Sequence, residues 1–311
     1  MGMSRLDFAP FTRAWHPIIG GCSNPHNIGC QNCIARITAI RRGLAWDANT
    51  TKLLHKNLTN PLTAQINCDD LILACPASDM FCNNMTTESS VGIIDFCFAV
   101  MSLSNARFVL RTSNPLTACS VLKSPSRKSS ILQYRLQIAP DSLSTFRWPI
   151  PNIIIGTMNC SNFDVEQSIK ILPNIPAEAR AIFLGPLIGN ISDNDGFDNI
   201  DWIVVSGSTN LRPKSEHYRS IRDIALKHEV PFYIATWGEN IDTLEVGCYQ
   251  QKIGSTTFAY LDGKLHHEIP DLEWTGNSFN GDIKPLAVLD KLKKTIIYNI
   301  EKNIPGGRRN V

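Results

Sequence analysis

Six short, nearly all-apolar runs recur along the chain: Leu71–Ala74, Phe108–Leu110, Asn152–Ile155, Ala181–Leu184, Trp202–Val205 and Pro231–Ala235. A brief run without polar alternation marks a strand buried on both faces, the setting of a parallel sheet covered by other layers. Most of these runs end in small or polar residues, among them Thr112, Gly156-Thr157, Gly185, Ser206-Gly207-Ser208 and Thr236. Between them lie segments of helical spacing. Ile34, Ile37, Ile40 and Leu44 fall on one helix face, and Ile221, Ile224 and Ala225 on another. This alternation predicts an α/β fold with a parallel β/α barrel, complete or partial. Pro17-Ile18-Ile19 reads as its first strand. Ligands of such folds bind beyond the carboxyl ends of the strands, although Gly and Ser also end strands simply because turns need them.

From about Asn240 the pattern weakens. Gly254–Glu268 predicts antiparallel strands around the turn Leu261-Asp262-Gly263-Lys264, and Pro285–Asn299 predicts a helix followed by a disordered tail. The chain thus divides into a barrel-like domain, 1–240, and a small hairpin and helix extension, 241–311. Lys123–Ser130, polar and Pro-containing, reads as a surface loop.

The 311 residues suffice for one large core, and a net charge of +2 gives no case for nucleic acid or a membrane surface as partner. No apolar stretch approaches the ~20 residues of a membrane span, and no charged start leads into an apolar h-region. Ten cysteines in such a chain point to reduced thiols and a cytoplasmic protein.

Three of those cysteines, Cys22, Cys30 and Cys33, stand as C-x7-C-x2-C in a Gly- and Asn-containing segment just after the first predicted strand. Three thiolates can ligate three irons of a [4Fe–4S] cluster and leave the fourth iron open, as radical chemistry on S-adenosylmethionine requires. A structural zinc, with His26 as fourth ligand, and chemically silent cysteines are the alternatives. Cys68, Cys75 and Cys82 are also evenly spaced, but Pro76 would break a shared helix and cysteine is a common core residue. Asp79, just past a predicted strand, reads either as a pocket acid for a ribose hydroxyl or substrate, or as an Asx-type cap. His266-His267 beside Glu268 suggests a metal, yet neighbouring strand residues point to opposite faces, so a solvated pair is expected. There is no phosphate-binding loop of the G-x-x-x-x-G-K-[ST] type, no H-E-x-x-H and no G-x-S-x-G.

Trp15-His-Pro-Ile-Ile-Gly-Gly-Cys22 with Gly29-Cys30-Gln-Asn-Cys33, Ala77-Ser-Asp-Met-Phe81, Trp148-Pro-Ile-Pro-Asn152, Gly185-Pro-Leu-Ile-Gly189, Asp201-Trp202, Trp237-Gly238 and Leu261-Asp-Gly263 form an ordered series. In that series the chain resembles the phage gene-product 37/68 proteins, the three-Cys-motif phage proteins, across most of its length. The resemblance implies a phage or prophage protein with a radical-SAM-like barrel. It also implies a cluster on Cys22, Cys30 and Cys33 with S-adenosylmethionine on its open iron, and a three-Cys-motif partner protein. The departures are equally informative. Where that family carries Tyr-Ala-Glu, Thr-Lys-Arg-Pro, Glu-Pro-Leu, Gly-Gly-Glu-Ser and Lys-Gln-Trp-Gly, this chain has Ile34-Ala-Arg36, Thr112-Ser-Asn-Pro115, Gly185-Pro-Leu187, Ser206-Gly-Ser-Thr209 and Ala235-Thr-Trp-Gly238. The charged and amide side chains are the ones lost. The expected pocket is Asp79, Thr112, Asn159, Ser206, Ser208 and Thr236 around the cysteine segment, with Asp79, Ser206, Ser208 and Thr236 toward the cofactor. Two readings stay open: an iron–sulfur enzyme of unknown substrate, and a degenerate relic or zinc- or cluster-binding scaffold for a partner. On the second, Ser208→Glu with Ala235→Lys restores binding of S-adenosylmethionine.

Overall fold

The computed structural model describes residues 3–8, 10–20, 28–41, 43, 51–87, 90–208, 211–241, 244–254, 256–272, 274, 276 and 282–302. Its centre is an eight-stranded sheet. β1 (Ser4–Phe8) pairs antiparallel with β2 (Phe11–Trp15). From β2 the sheet is parallel through β5 (Leu71–Ala74), β6 (Arg107–Thr112), β7 (Ile153–Asn159), β8 (Ala179–Leu184), β9 (Trp202–Ser208) and β10 (Phe232–Gly238). Each new strand joins beside the one before it, with no reversal of order. Right-handed crossovers in a steady direction put every connecting helix on one face, and the sheet curls around the other. The result is a half-barrel.

The crossovers carry α2 (Ile34–Arg41) and α3 (Asn60–Thr63) after β2, α4 (Val91–Leu103) after β5 and α5 (Pro115–Lys123) with α6 (Arg127–Ile138) after β6. α7 (Asn162–Ile171) follows β7 and α8 (Ser215–Lys227) follows β9. β8 reaches β9 through an irregular segment with one 3₁₀ turn, Asp195–Asn199. The strand residues divide by alternation. Ile72, Phe108, Leu110, Ile155, Ile182 and Ile203 pack outward against the helices. Leu73, Val109, Ile154, Ala181, Phe183, Trp202, Val204 and Tyr233 form a second apolar cluster on the inner face. On α8 the expected face holds, with Tyr218, Ile221, Ile224 and Ala225 buried.

Three expectations are corrected. The first parallel strand is Phe11–Trp15, while Ile18–Ile19 (β3) forms a two-residue antiparallel pair with Lys52–Leu53 (β4). Thr12 and Arg13 hide the true strand by interrupting its apolar run; Arg13 instead faces Asp70 at 3.6 Å and Thr12 donates to Asp70 at 2.7 Å. Arg127–Ser130 is the start of α6, not a loop, because the Arg127 guanidinium meets buried Asp95 at 2.6 Å and Ser130 Oγ donates to the same carboxylate at 2.6 Å. On α2, Ile40 is 54% exposed, so that helix does not bury the whole apolar stripe; Leu44 lies outside the described residues.

The C-terminal part is built into the barrel. β11 (Tyr249–Ile253), β12 (Thr256–Leu261) and β13 (Lys264–Leu265) form a small antiparallel sheet. Its second turn has Asp262 and Gly263 at φ 53° and 75°, the conformation a tight two-residue hairpin requires. β12 touches β10 and β1, the two margins of the large sheet. His266–Glu268 runs along β10, with Ile234 N–H donating to His266 O at 2.9 Å and Glu268 N–H to Phe232 O at 3.2 Å. α9 (Leu286–Lys302) returns to α4, burying Leu289, while Lys293 Nζ reaches Thr59 Oγ1 at 3.3 Å. The tail beyond Lys302 lies outside the described residues.

Candidate functional site

Cys30 lies in the short α1 (Ile28–Gln31) and Cys33 immediately precedes α2. Cys33 N–H donates to Cys30 O at 3.4 Å, Ile37 N–H to Cys33 O at 2.9 Å, and Arg36 Nη1 to Cys30 O at 3.4 Å. The C-x2-C pair therefore forms one closed turn with both residues half-buried. Cys22 and His26 lie outside the described residues. Cys160, one residue past β7, ties this turn to the sheet. Its thiol accepts from the Gly29 backbone N–H and donates to Gly185 O at 3.7 Å. Burial first, then nearby Asp164 and Cys30, push that thiol up to about 12. Gly20 N–H donates to Ala77 O at 3.3 Å, just beyond β5. The Cys30–Cys33 turn thus sits at the carboxyl ends of the parallel strands.

Two thiols on one turn, the second immediately before a helix, are a donor pair that fits a zinc ion or an iron–sulfur cluster. Among the described residues, no three ligating side chains converge into a metal-binding group.

The remaining expected site residues separate into two sets. Asp79 is fully buried and turned into the protein. Its Oδ1 accepts from Phe81 N–H at 2.9 Å, and its Oδ2 accepts from Thr112 Oγ1, Ser113 N–H and Asn114 Nδ2, each at 2.9 Å. Burial raises this carboxyl from its ordinary value, against four donors that pull it down. Asp79 is an Asx-type cap for its own turn and a clasp between the segments after β5 and β6. Thr112 points outward with it. Asn159 also faces the helix side, donating to Thr157 and accepting from Ser168 Oγ at 2.6 Å. Thr236 Oγ1 donates to Gln250 Oε1 at 3.0 Å and accepts from Gly238 N–H, which joins β10 to β11.

Ser206 and Ser208 belong to the inner face, two and four residues beyond Val204. Ser206 is half-buried, its Oγ over Gly185, where any Cβ would collide with it. Between the two serines, a Cβ on Gly207 would strike the Trp237 carbonyl, so β9 and β10 approach there only because that residue is glycine.

Several inner-face residues escaped sequence reading. Arg111, two residues beyond Val109, lies with its guanidinium carbon 5.8 Å from the Phe183 ring centroid. From Phe183 a band of rings crosses the inner face. Trp202 follows at 5.8 Å, Tyr233 at 6.3 Å from Trp202, then His267 stacked on Tyr233 at 4.3 Å and Phe258 at 5.4 Å. The two histidines do face opposite ways, His266 packing on Phe232. They are not a solvated pair: both rings are half-buried, and burial lowers both pKa values. Cys75 and Cys82 are buried core thiols, pushed up by burial.

No helix among the described residues is long and apolar enough to cross a membrane. No curated protein and no solved structure matches the chain. A family model does match, over residues 7–270, a span that takes in every parallel strand from β2 to β10 and the cysteine turn; the chain belongs to the family described as "Protein of unknown function (DUF5131)".

Proposed function

We propose that this chain is a three-cysteine metalloprotein of the radical-SAM-like type, akin to the phage gene-product 37/68 proteins, with its working face at the carboxyl end of the half-barrel. The observation that carries the reading is the placement of the Cys30–Cys33 turn beyond the parallel strands, where ligands of β/α barrels bind. Cys22, Cys30 and Cys33 would hold the cluster. Such a cluster, when bound with S-adenosylmethionine, supplies one-electron chemistry. This chain's residues would position what binds there: Ser206 lies on the inner face, and the buried ring band lines the same face. Anaerobic purification followed by iron, sulfide and zinc analysis tests the reading. About four irons with matching sulfide per chain are expected from cubane stoichiometry. One equivalent of zinc without sulfide would replace the cluster by a structural metal, and neither metal, with the cysteines freely alkylated, would end the idea.

A specific observation favours a second reading, a cluster- or zinc-binding scaffold for a three-Cys-motif partner protein without turnover of its own. Asp79, Thr112, Asn159 and Thr236 are all committed to hydrogen bonds within the protein. Reduced, loaded protein given S-adenosylmethionine separates the two: release of 5′-deoxyadenosine supports the enzyme, and its absence with the metal in place supports the scaffold.

A further inference from the structure

We propose that Arg107, at the amino-end mouth of the half-barrel, is an anion-binding residue that receives a carboxylate or phosphate, at the opposite end of the sheet from the cysteine turn. Arg107 opens β6. Phe108 and Leu110 pack in the outer core and Val109 in the inner cluster, so alternation turns Arg107 inward. Its register partner on β5 is Leu71, itself a member of the inner cluster. The chain after β13 passes below this point. Trp202 Nε1 donates to Glu268 O at 2.9 Å, Leu272 packs on the inner cluster, and Trp274 Nε1 donates to Asn105 O at 2.8 Å. That segment thus runs from the foot of β10 to the foot of β6, two residues from Arg107.

The guanidinium is dry at its base and uncompensated. Arg107 is half-buried, and its Nε is sealed from solvent with no acceptor. Buried donors in folded proteins nearly always have a partner, so an orphaned one calls for an explanation. The Nη1 and Nη2 atoms are not sealed, and no described residue pairs with them. The adjacent acid is already spent. Asp70 O accepts from Arg107 N–H at 3.0 Å, but the Asp70 carboxylate takes Thr12 Oγ1 at 2.7 Å, Asn67 N–H at 2.9 Å and Arg13 at 3.6 Å. On the β7 side, Asn152 is turned toward α4, its amide donating to Met101 O at 2.9 Å and Ala106 O at 2.7 Å. A cation desolvated on one side gains more from an anion at its open edge than an arginine in free water does. The planar Nη1–Nη2 edge matches two oxygens of a carboxylate or phosphate.

Titration of the full-length protein with inorganic phosphate and with acetate, at constant ionic strength, tests the proposal. Binding is followed by calorimetry and by the 15N–1H signal of the Arg107 Nε–H group, which burial shields from exchange with water and which Arg107→Lys assigns by its loss. Saturable binding of at least one anion is expected, with the signal moving along the same curve and the tighter anion naming the ligand chemistry. Arg107→Gln should weaken binding tenfold or more. Arg107→Lys should keep a larger share for phosphate than for acetate, since an ammonium is a point charge and lacks the planar fork. Arg36→Gln, at the cysteine turn, should leave the affinity unchanged. Circular dichroism and melting secure that each variant retains the fold, and the signal of the wild type reports on the site even if Arg107→Gln does not fold. No saturation in the wild type, equal affinity in Arg107→Gln, or binding lost in Arg36→Gln overturns the inference. Because the experiment needs no metal, failure of the cluster reading shows in the iron and sulfide analysis and not here.

Discussion

At Asp79 one carboxylate takes four donors from two separate segments. Asp79→Ala leaves the Phe81 and Ser113 N–H groups, the Thr112 hydroxyl and the Asn114 amide without their acceptor in a dry site. We expect a loss of about 3 kcal/mol, the scale of a broken buried polar network, read as a lower urea midpoint. Ala235 carries the opposite lesson. It is 2% exposed within the inner apolar cluster, so Ala235→Lys puts an unpaired ammonium among rings instead of restoring a ligand contact. The expected result is destabilisation of ~3 kcal/mol or more and no gain in affinity for S-adenosylmethionine, checked by melting and calorimetry. The turn that joins Cys30 and Cys33 was legible because the two residues are neighbours in the chain. Asp79 was half legible, since an Asx turn is local but its partners lie more than thirty residues away. Arg111 was hidden, because a charged residue after three apolar ones looks like the end of a run.

At the level of elements, the end of α8 is clamped by His228. Its Nδ1 meets Asp198 at 2.5 Å and its Nε2 meets Asp193 at 2.6 Å. Two carboxylates can both be satisfied only if both ring nitrogens carry protons, so the partners raise the imidazole from its ordinary 6.5. With the folded value raised, the stabilisation is fully present below 6.5 and fades as pH climbs through that higher value. A melting curve measured from pH 6 to 9 should fall more steeply for the wild type than for His228→Gln; parallel curves would refute the clamp. The hairpin turn is tied to the same helix, with Asp262 bound by Arg219 at 2.7 Å and Arg222 at 2.7 Å. Those guanidinium partners, Arg219 foremost, hold its carboxyl down at about 2 from an ordinary 3.8. Its contribution is present above 3.8 and is lost as pH falls through about 2. Being half-exposed, the cluster should be worth under about 1 kcal/mol, and Asp262→Asn should show as faster amide exchange in β13 more than as a lower melting point. The hairpin was legible from Asp262-Gly263, a local signal. The start of α6 was not, because its polar residues make sense only once Asp95 is beside them.

For the whole molecule, the parallel order was foreseeable in outline from six apolar runs, but the closing of the seam was not. Nothing local in Thr256–Leu261 says that it will touch both margins of a sheet whose first strand lies some 250 residues earlier. The contact of α9 with α4 crosses the division drawn at residue 240, and no local signal announces it. Removing residues 286–311 uncovers the sites of Leu289 and Lys293; a cost of about 2–4 kcal/mol from lost apolar burial should lower the melting temperature by several degrees. The order in which the barrel is built also fixes a timetable. A ribosome delivers β2 to β10 in the sequence in which they pair, so each strand finds its neighbour waiting. The strand that bridges the margins is made after all of them. Until it emerges, the nascent sheet carries two raw edges, and a message cut short between β10 and β12 would yield a chain with templates for sticking to its own kind.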